Sequence, residues 1–413
     1  MKPALRRRLF AGSVLAVLAV VVWLRPGIDH SPWTMMRLFD FDVRVENFRQ
    51  MERIFPAREL AASTVPYTFP RAESALPAQY GFEGRQHALD EFLERSDTTG
   101  LLVLRNGVLV HEQYRLGADA STRFTSWSLA KSVVAALVGI AVQEGAIRSL
   151  DDRVVDYLPG WAGTAWAEVR IHDLLRMASG IAFEERYDTH FSDIQQVFHQ
   201  TYLLERPIGD VVRALGDRPP EAPPGTQFHY ISVNTQVLAE VLRAATGRLL
   251  VDYAREKLWQ PLGMQDTALW NLDGGEPGAT EVAYCCLNTT LRDYAKFGQL
   301  FLQQGQWQGR QLLPPDWVRE STRRPEPWLQ PGVAQPERGY GYHWWIPPGA
   351  DGEYFANGIW GQSIWVDEPR GIVIVKTSVD PDFQAHMPEM IAVMRAVSRG
   401  LAPPRGPAPI AGK

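Results

Sequence analysis

The sequence contains few cysteines. It has two among its 413 residues, and they are the neighbours Cys285 and Cys286. A disulfide requires a particular separation and orientation of the two Cα atoms, so we expect these adjacent cysteines to remain unpaired. Two cysteines are also too few for a disulfide scaffold or a cysteine-rich metal site.

An excess of positive charge is also missing. The chain has 42 lysines and arginines against 47 aspartates and glutamates, which gives a formal net charge of -5. Without a basic excess to bind a phosphate backbone, nucleic acid is not an expected partner. The content of 45% hydrophobic and 22% charged residues is that of a globular protein. The length allows one large domain or two to three ordinary ones.

Lysine is scarce, because six of the basic residues are lysines and all the others are arginines. Arginine keeps its proton near neutral pH, whereas a desolvated lysine can lose it. A lysine within an apolar segment is therefore a candidate general base. Lys131 is such a residue.

The first 27 residues form a targeting element. Lys2 and three consecutive arginines precede an uncharged run over residues 9–24, which ends at Arg25. The run is slightly shorter than a full span of about 20 residues and lacks a clear Ala-x-Ala site, so a signal peptide and an uncleaved membrane anchor both stay open, with the anchor favoured. The positive flank should remain cytoplasmic, which predicts a periplasmic or other extracytoplasmic catalytic domain, secreted if the segment is cleaved.

Three further regions follow. Residues 28–97 mix aromatic and charged residues and are interrupted by prolines, which predicts an irregular lead-in segment that packs on the main domain and has no function of its own. Residues 98–400 form the main domain. Residues 401–413 are rich in proline and glycine and are predicted to be a disordered tail.

Strand-like runs lie at both ends of the main domain. Apolar runs at residues 101–104 and 108–111 flank Asn106 and Gly107, a pair typical of a tight hairpin turn. Three more runs, at 340–346, 362–367 and 371–378, precede an amphipathic helix at 387–399. The region between is mostly helical or loop-like. This pattern predicts an α/β (α+β) fold with one antiparallel sheet completed by both termini, helices on its faces and a helical subdomain.

The candidate nucleophile begins a helix that is apolar on almost every face, over residues 133–142. Ser128 and Lys131 are three residues apart, so both side chains lie on one helix face within about 5 to 6 Å at Cβ. Burial would lower the pKa of the Lys131 amine and let it accept the Ser128 proton. The alternative is that Ser128 only caps the helix and Lys131 extends to solvent.

Signatures of other chemistries are absent from the sequence. It contains no Gly-x-Ser-x-Gly elbow, no His-Glu-x-x-His and no glycine-rich phosphate loop ending in Gly-Lys. Its nine histidines are scattered. We therefore expect no metal and no other cofactor.

A second motif resembles a pattern found in a known family. Tyr230-Ile-Ser232-Val-Asn234-Thr precedes a helix, and together with the Ser-x-x-Lys motif it resembles the serine β-lactamase, D-alanyl-D-alanine peptidase (DD-peptidase) and esterase superfamily. The likeness is to the class C-like branch, and within it to the 6-aminohexanoate-dimer hydrolases and related esterases. It extends over about residues 101–399.

The resemblance implies a role for each motif residue. Ser128 would be the acylated nucleophile, Lys131 its proton acceptor, and Tyr230 a shared acid and base whose pKa a neighbouring ammonium would lower. Asn234 would hydrogen-bond Lys131 or a substrate carbonyl, and Ser232 would support the same network. Helix capping is the alternative role for the last two.

The family's third motif usually reads Lys-Thr-Gly and supplies a backbone donor to the oxyanion hole. Here Trp360, Gly361 and Gln362 occupy the expected place and are assigned to substrate binding or support. The resemblance implies that the N–H groups of Ser128 and Ser363 form the hole. Lys376, at the end of the following strand, is interpreted as structural.

Trp360 replaces a lysine that would pair with a substrate carboxylate, which argues against tight recognition of penicillins or of peptides ending in D-alanine. The sequence thus predicts a serine hydrolase that acts on small esters or amides through an acyl-enzyme. Two alternatives remain: a penicillin-recognising sensor that is acylated without turnover, and a true β-lactamase or DD-peptidase. The oligomeric state is left open.

Overall fold

The computed structural model describes residues 20, 22–25, 27–189, 191–323 and 326–401. Most of the predicted targeting element and nearly all of the predicted tail lie outside these residues. Within the described part of the chain, no helix has both the length and the hydropathy needed to cross a bilayer.

The described residues form fifteen strands and thirteen α-helices, numbered here in chain order. The strands are β1 Ala57–Leu60, β2 Gln79–Phe82, β3 Arg85–Ala88, β4 Thr98–Arg105, β5 Val108–Tyr114, β6 Phe124–Thr125, β7 Ala268–Asn271, β8 Leu287–Thr289, β9 Gln306–Trp307, β10 Arg310–Gln311, β11 Gly339–Tyr340, β12 Trp345–Ile346, β13 Glu353–Gly358, β14 Gln362–Asp367 and β15 Ile372–Ser378. The helices are α1 Pro32–Met36, α2 Arg44–Asn47, α3 Leu89–Arg95, α4 Ala130–Gln143, α5 Val154–Tyr157, α6 Ile171–Leu175, α7 Asp193–Phe198, α8 Ile208–Leu215, α9 Val233–Thr246, α10 Leu250–Ala254, α11 Leu291–Leu302, α12 Pro315–Thr322 and α13 Met387–Leu401.

The main sheet has seven strands in the order β11-β12-β13-β14-β15-β4-β5, and every neighbouring pair is antiparallel. β4 and β5 form the predicted hairpin, and β4 pairs along its length with β15, so that Arg105 lies opposite Ile372. The two ends of the domain therefore complete one sheet, which confirms the predicted α/β class and its antiparallel sheet.

Each face of this sheet is covered by helices, because the strands are apolar on both sides. Leu101 and Val103 of β4 belong to the same core as α13, whereas Leu102 and Leu104 belong to the larger core that includes α4 and α11. α11 approaches the sheet closely at Gly298, where a Cβ would lie 2.6 Å from a methyl of Val373. The buried helix α4, which follows the candidate nucleophile, is held in this larger core.

Three sequence predictions about strands need correction. The run at 340–346 is two short strands, β11 and β12, because the chain turns at His343, whose φ is 59°. β13, which was not predicted, is an inner strand of the sheet between β12 and β14. The middle of the chain is also not only helical, since β7 and β8 join β1 and β6 in a second, four-stranded sheet.

The lead-in segment forms part of the folded core. β1 pairs antiparallel with β7, more than 200 residues later in the chain, with Ala57 opposite Asn271. Phe48 and Phe55 are buried in the same core as α4. The segment thus packs against β7 and shares a core with α4, the helix that follows the candidate nucleophile.

Candidate active site

Ser128 and Lys131 lie together at the start of α4. Ser128 belongs to a 3-10 turn, Trp127–Leu129, that leads directly into the helix. The Lys131 Nζ lies 2.8 Å from the Ser128 Oγ and 2.9 Å from the carbonyl oxygen of Tyr284. Trp127, directly before Ser128, has a φ of 45°, a left-handed backbone conformation that is unusual for a bulky residue.

The Lys131 amine is almost completely withdrawn from water, with 1% of the residue exposed. This burial lowers the pKa of Lys131 to about 7, while the negative charge of Glu185 acts in the opposite direction. Lys131 therefore does not extend to solvent, which was the alternative left open by the sequence. An amine with a pKa near neutrality can take a proton from the hydroxyl it contacts.

Tyr230 lies beside this pair. Its ring centroid is 5.3 Å from the Lys131 Nζ, and its ring stacks on Trp345 at a centroid distance of 5.4 Å. Burial raises the pKa of Tyr230, and a hydrogen bond with Ser128 acts weakly against that rise. The prediction of a lowered pKa is therefore wrong, because burial and the negative charge of Glu185 both raise the pKa of Tyr230. A neutral Tyr230 is suited to donate a proton.

Ser232 is held by the carboxylate of Glu185, a residue that was not predicted to belong to the site. The Ser232 N–H donates to the Glu185 Oε2 at 2.8 Å, and the Ser232 hydroxyl donates to the Glu185 Oε1. The Tyr187 hydroxyl also donates to the Glu185 Oε1, at 2.5 Å. Ser232 is the residue before α9, so Glu185 also lies at the positive end of that helix. No local pattern could reveal this contact, since 47 residues separate Glu185 from Ser232.

Asn234 does not join the network that the resemblance implied. The residue is fully buried within α9, and its Nδ2 lies 3.6 Å from the Met177 Sδ. Its Oδ1 has no hydrogen-bond partner among the described residues. Lys131 instead uses its two contacts on Ser128 and Tyr284. The predicted contact between Asn234 and Lys131 is therefore wrong, because the Asn234 amide contacts Met177 and the Lys131 amine contacts Ser128 and Tyr284.

A cavity opens beside the nucleophile, and we call it the Ser128 cavity. It is lined by Leu38, Phe39, Phe55, Trp127, Ser128, Tyr187, Ile194, Gln195, Phe198, Tyr202, Ser232, Val282, Tyr284, Cys285, Cys286 and Ile359. Tyr230 lines a second cavity, which we call the Tyr230 cavity. It is lined by Ala182, Phe183, Glu184, Glu185, Arg186, Asp193, Arg218, Glu221, Phe228, His229, Tyr230, Ala334 and Gln335.

Ser363 is not at the cavity where it was predicted to act. It lies inside β14, opposite Asn357 of β13 on one side and Lys376 of β15 on the other. In an inner antiparallel strand, the backbone N–H groups are used by the neighbouring strands. Ile359, on the connection from β13 to β14, lines the Ser128 cavity instead. Gly358 permits this close approach, because a Cβ there would lie 2.4 Å from the Ser126 carbonyl oxygen.

The other residues of the third motif support the site from outside the cavity. Trp360 stacks on Phe39 at a centroid distance of 5.5 Å. Gly361 has a φ of 83°, a conformation that glycine adopts easily. The Gln362 Nε2 donates to the Ser378 carbonyl oxygen at 2.6 Å, which ties β14 to β15. Gln362 is thus a support residue, and none of the three lines the Ser128 cavity.

The two cysteines form a disulfide, contrary to the sequence prediction. Cys285 and Cys286 are joined to each other although they are adjacent in the chain. The backbone accommodates the bond with a left-handed conformation at Cys286, whose φ is 72°. The carbonyl oxygen of Cys286 accepts a hydrogen bond from the Asn271 N–H at 3.0 Å, which anchors the pair to β7. The disulfide directly follows Tyr284, the backbone partner of Lys131.

Comparison with known proteins agrees with this geometry. The Beta-lactamase family model matches residues 85–397. The 6-aminohexanoate-dimer hydrolase of Paenarthrobacter ureafaciens is 29% identical over 306 residues, which cover 71% of this chain and 76% of that protein.

Two solved structures show the same fold. A protein of Bacillus anthracis assigned as a 6-aminohexanoate-dimer hydrolase matches with a TM-score of 0.77 and 24% identity, covering 89% of this chain and 97% of the other. A family VIII carboxylesterase matches with a TM-score of 0.55 and 18% identity, covering 74% of this chain and 92% of the other. The chain belongs to the Beta-lactamase family and is a serine hydrolase.

Proposed function

We propose that this hydrolase cleaves small esters or uncharged amides through an acyl-enzyme formed on Ser128. One observation carries the proposal: a buried Lys131 amine lies 2.8 Å from the Ser128 Oγ. The neutral amine takes the hydroxyl proton as the Ser128 Oγ bonds to the substrate carbonyl carbon. The backbone N–H groups of Ser128 and Ile359 are our choice for the oxyanion donors, in place of Ser363.

The leaving group departs on the Tyr230 side of the site. Tyr230 donates its proton to the leaving oxygen or nitrogen, and the Lys131 ammonium returns a proton to Tyr230. A water molecule then attacks the acyl carbonyl, giving its proton to Lys131, and Ser128 regains its proton as the acid is released. Lys131 is the proton acceptor in both steps, and the proton that Ser128 regains comes from Lys131, so the three side chains need no cofactor.

The lining of the Ser128 cavity supports an uncharged substrate. None of the described residues that line it carries a positive charge with which a carboxylate could pair. Lys376, which belongs to a Lys-Thr-Ser sequence, is buried between strands and donates to the Ser378 hydroxyl instead. We therefore favour esters and uncharged amides over penicillins and peptides with a free carboxylate.

The proposal is tested with p-nitrophenyl butyrate and nitrocefin. We expect steady release of many equivalents of p-nitrophenol per protein, and slower hydrolysis of nitrocefin. A single equivalent followed by no further release would instead indicate a sensor that is acylated without turnover. Faster hydrolysis of nitrocefin than of the ester would indicate a β-lactamase.

The charge of Glu185 provides a prediction about pH. The neutral form of Lys131 is the base, so kcat/KM should rise with pH through about 7 and level off above it. Glu185 raises the pKa of Lys131, and Glu185→Gln removes that charge. We expect the rising limb of kcat/KM to move to lower pH, by on the order of 0.5 to 1 unit.

The matched control for this prediction is Glu184→Gln. Glu184 is the neighbouring residue and pairs with Arg186, 3.4 Å away, rather than with the network around Ser232. The Glu184→Gln substitution should leave the rising limb of kcat/KM at the same pH as in the parent. A limb that stays at the same pH in Glu185→Gln, or moves upward, would show that Glu185 does not act on the Lys131 amine.

We also propose that the catalytic domain lies outside the cytoplasmic membrane. The uncharged run at residues 9–24 with its positive flank supports an N-terminal anchor or signal. The Cys285–Cys286 disulfide supports an oxidising compartment, where such bonds persist. Added protease should degrade the domain in cells whose outer barrier has been opened and whose inner membrane is intact. Protection of the domain in that experiment would contradict this location.

A further inference from the structure

The Ser128 cavity and the Tyr230 cavity differ in chemistry. The described lining of the Ser128 cavity contains aromatic, aliphatic, hydroxyl, amide and disulfide groups and no charged side chain. The Tyr230 cavity contains Glu184, Asp193, Arg218 and Glu221 together with His229. Since Tyr230 donates a proton to the leaving group, the leaving group must lie toward the polar cavity. The acyl group then extends into the uncharged one.

The walls of the Ser128 cavity come from separate parts of the chain. Phe55, from the lead-in segment, packs on Tyr202 with ring centroids 4.2 Å apart and on Phe198 at 5.9 Å. Phe55 is 2% exposed and Tyr202 is 9% exposed. The Cys285–Cys286 disulfide closes another side. These contacts form a fixed apolar surface next to the nucleophile.

The mouth of the cavity is aromatic. Phe39, also from the lead-in segment, stacks on Trp360 with its ring inclined by 10°, and its centroid is 5.6 Å from that of Trp127. Phe39 is 41% exposed, so part of its ring is free to contact a ligand. The lead-in segment, which was predicted to have no function of its own, thus supplies both an inner wall and the rim of the cavity.

We propose that the Ser128 cavity binds the acyl part of the substrate and selects an uncharged, apolar acyl chain, and that the lead-in segment contributes to this selection. The inference rests on the proposed acyl-enzyme at Ser128. An apolar chain gains free energy by leaving water for such a surface, whereas a charged end would lose its hydration without gaining a partner.

The test compares matched p-nitrophenyl esters. p-Nitrophenyl methyl adipate and p-nitrophenyl hydrogen adipate have the same chain and differ in a terminal carboxylate. p-Nitrophenyl 7,7-dimethyloctanoate and 6-(trimethylammonio)hexanoate have the same shape and differ in a terminal cation. We expect the uncharged member of each pair to have a kcat/KM at least about tenfold higher. The second pair is needed because aromatic rings can also hold a quaternary ammonium.

Substitutions in the wall of the Ser128 cavity test whether this cavity causes the preference for apolar acyl chains. Phe198→Ala should lower kcat/KM for p-nitrophenyl hexanoate about tenfold and for the acetate less than about twofold, since acetate does not reach that wall. Phe191→Ala is the matched control, because Phe191 is 87% exposed in the same segment. Phe39→Ala should act in the same direction more weakly. Its control is Phe41→Ala, whose ring is 83% exposed.

Each outcome decides the inference. Preference for uncharged esters, together with a chain-length effect confined to Phe198→Ala and Phe39→Ala, supports it. A charged ester that is hydrolysed as fast as its uncharged match, or faster, overturns the acyl cavity and leaves the chemistry at Ser128 standing. An equal loss on acetate and hexanoate in Phe198→Ala has the same meaning. If no ester is hydrolysed faster than by Ser128→Ala, the proposed function fails and the inference fails with it.

Discussion

Replacing Ser128 with alanine is expected to lower kcat for ester hydrolysis by at least about 10⁴-fold. The substitution removes the atom that bonds to the acyl group, and the remaining rate would come from the oxyanion donors and binding alone. The Lys131 amine keeps its contact with the Tyr284 carbonyl oxygen, so the fold should be retained. Steady-state hydrolysis of p-nitrophenyl butyrate and a thermal unfolding curve check both points.

The control for Ser128→Ala is Ser121→Ala, at an exposed serine whose hydroxyl donates to Asp119 at 2.7 Å. This variant should hydrolyse the ester at the parent rate. A Ser128→Ala protein that retains more than about one hundredth of the parent kcat while folded would mean that another residue is the nucleophile.

Replacing Lys131 with methionine is expected to lower kcat by about 10³- to 10⁴-fold and to stabilise the protein. The base is lost, while the apolar stem is replaced by one of similar size. In the folded protein the pKa of Lys131 is about 7, against 10.5 in the unfolded chain. Folding therefore opposes protonation, and this penalty is fully present below pH 7 and disappears above the unfolded pKa. We expect the free energy of unfolding at pH 7 to rise by roughly 2 to 4 kcal/mol.

The matched control is Lys257→Met. Lys257 forms ion pairs with Glu144 and Glu256 at 2.6 and 2.8 Å and lies away from the site. Its substitution should leave kcat unchanged and should not raise the free energy of unfolding. Urea unfolding at pH 7 measures the stability of both variants. If the Lys131→Met protein were less stable than the parent, burial of the Lys131 amine would not be destabilising the fold.

The sequence was informative where contacts are local. Ser128 and Lys131 are one helical turn apart, and an apolar helix after them is enough to predict that the lysine is buried. The β4–β5 hairpin was predictable for the same reason, since Asn106 and Gly107 fix its turn. In both cases the residues that decide the structure lie within a few positions of one another.

Contacts between segments that are distant in the chain could not be predicted from the sequence. Glu185 meets Ser232 because a loop folds over the start of α9, and the walls from the lead-in segment meet the site through the pairing of β1 with β7. The prediction that the Ser363 N–H forms part of the oxyanion hole was wrong for a different reason. β14 already begins at Gln362, so Ser363 is paired within the sheet and Ile359 is the residue that lines the cavity. The sequence does not show at which residue a strand begins to within a few positions.

The central claim is that a neutral, buried Lys131 takes the proton of Ser128. The most direct test is the rate at which a fluorophosphonate probe labels the parent protein between pH 5 and 9, with peptide mapping of the adduct by mass spectrometry. We expect an adduct on Ser128 whose rate of formation rises with pH and reaches half of its maximum near pH 7. An adduct on another residue, or a rate that does not change across this range, would contradict it.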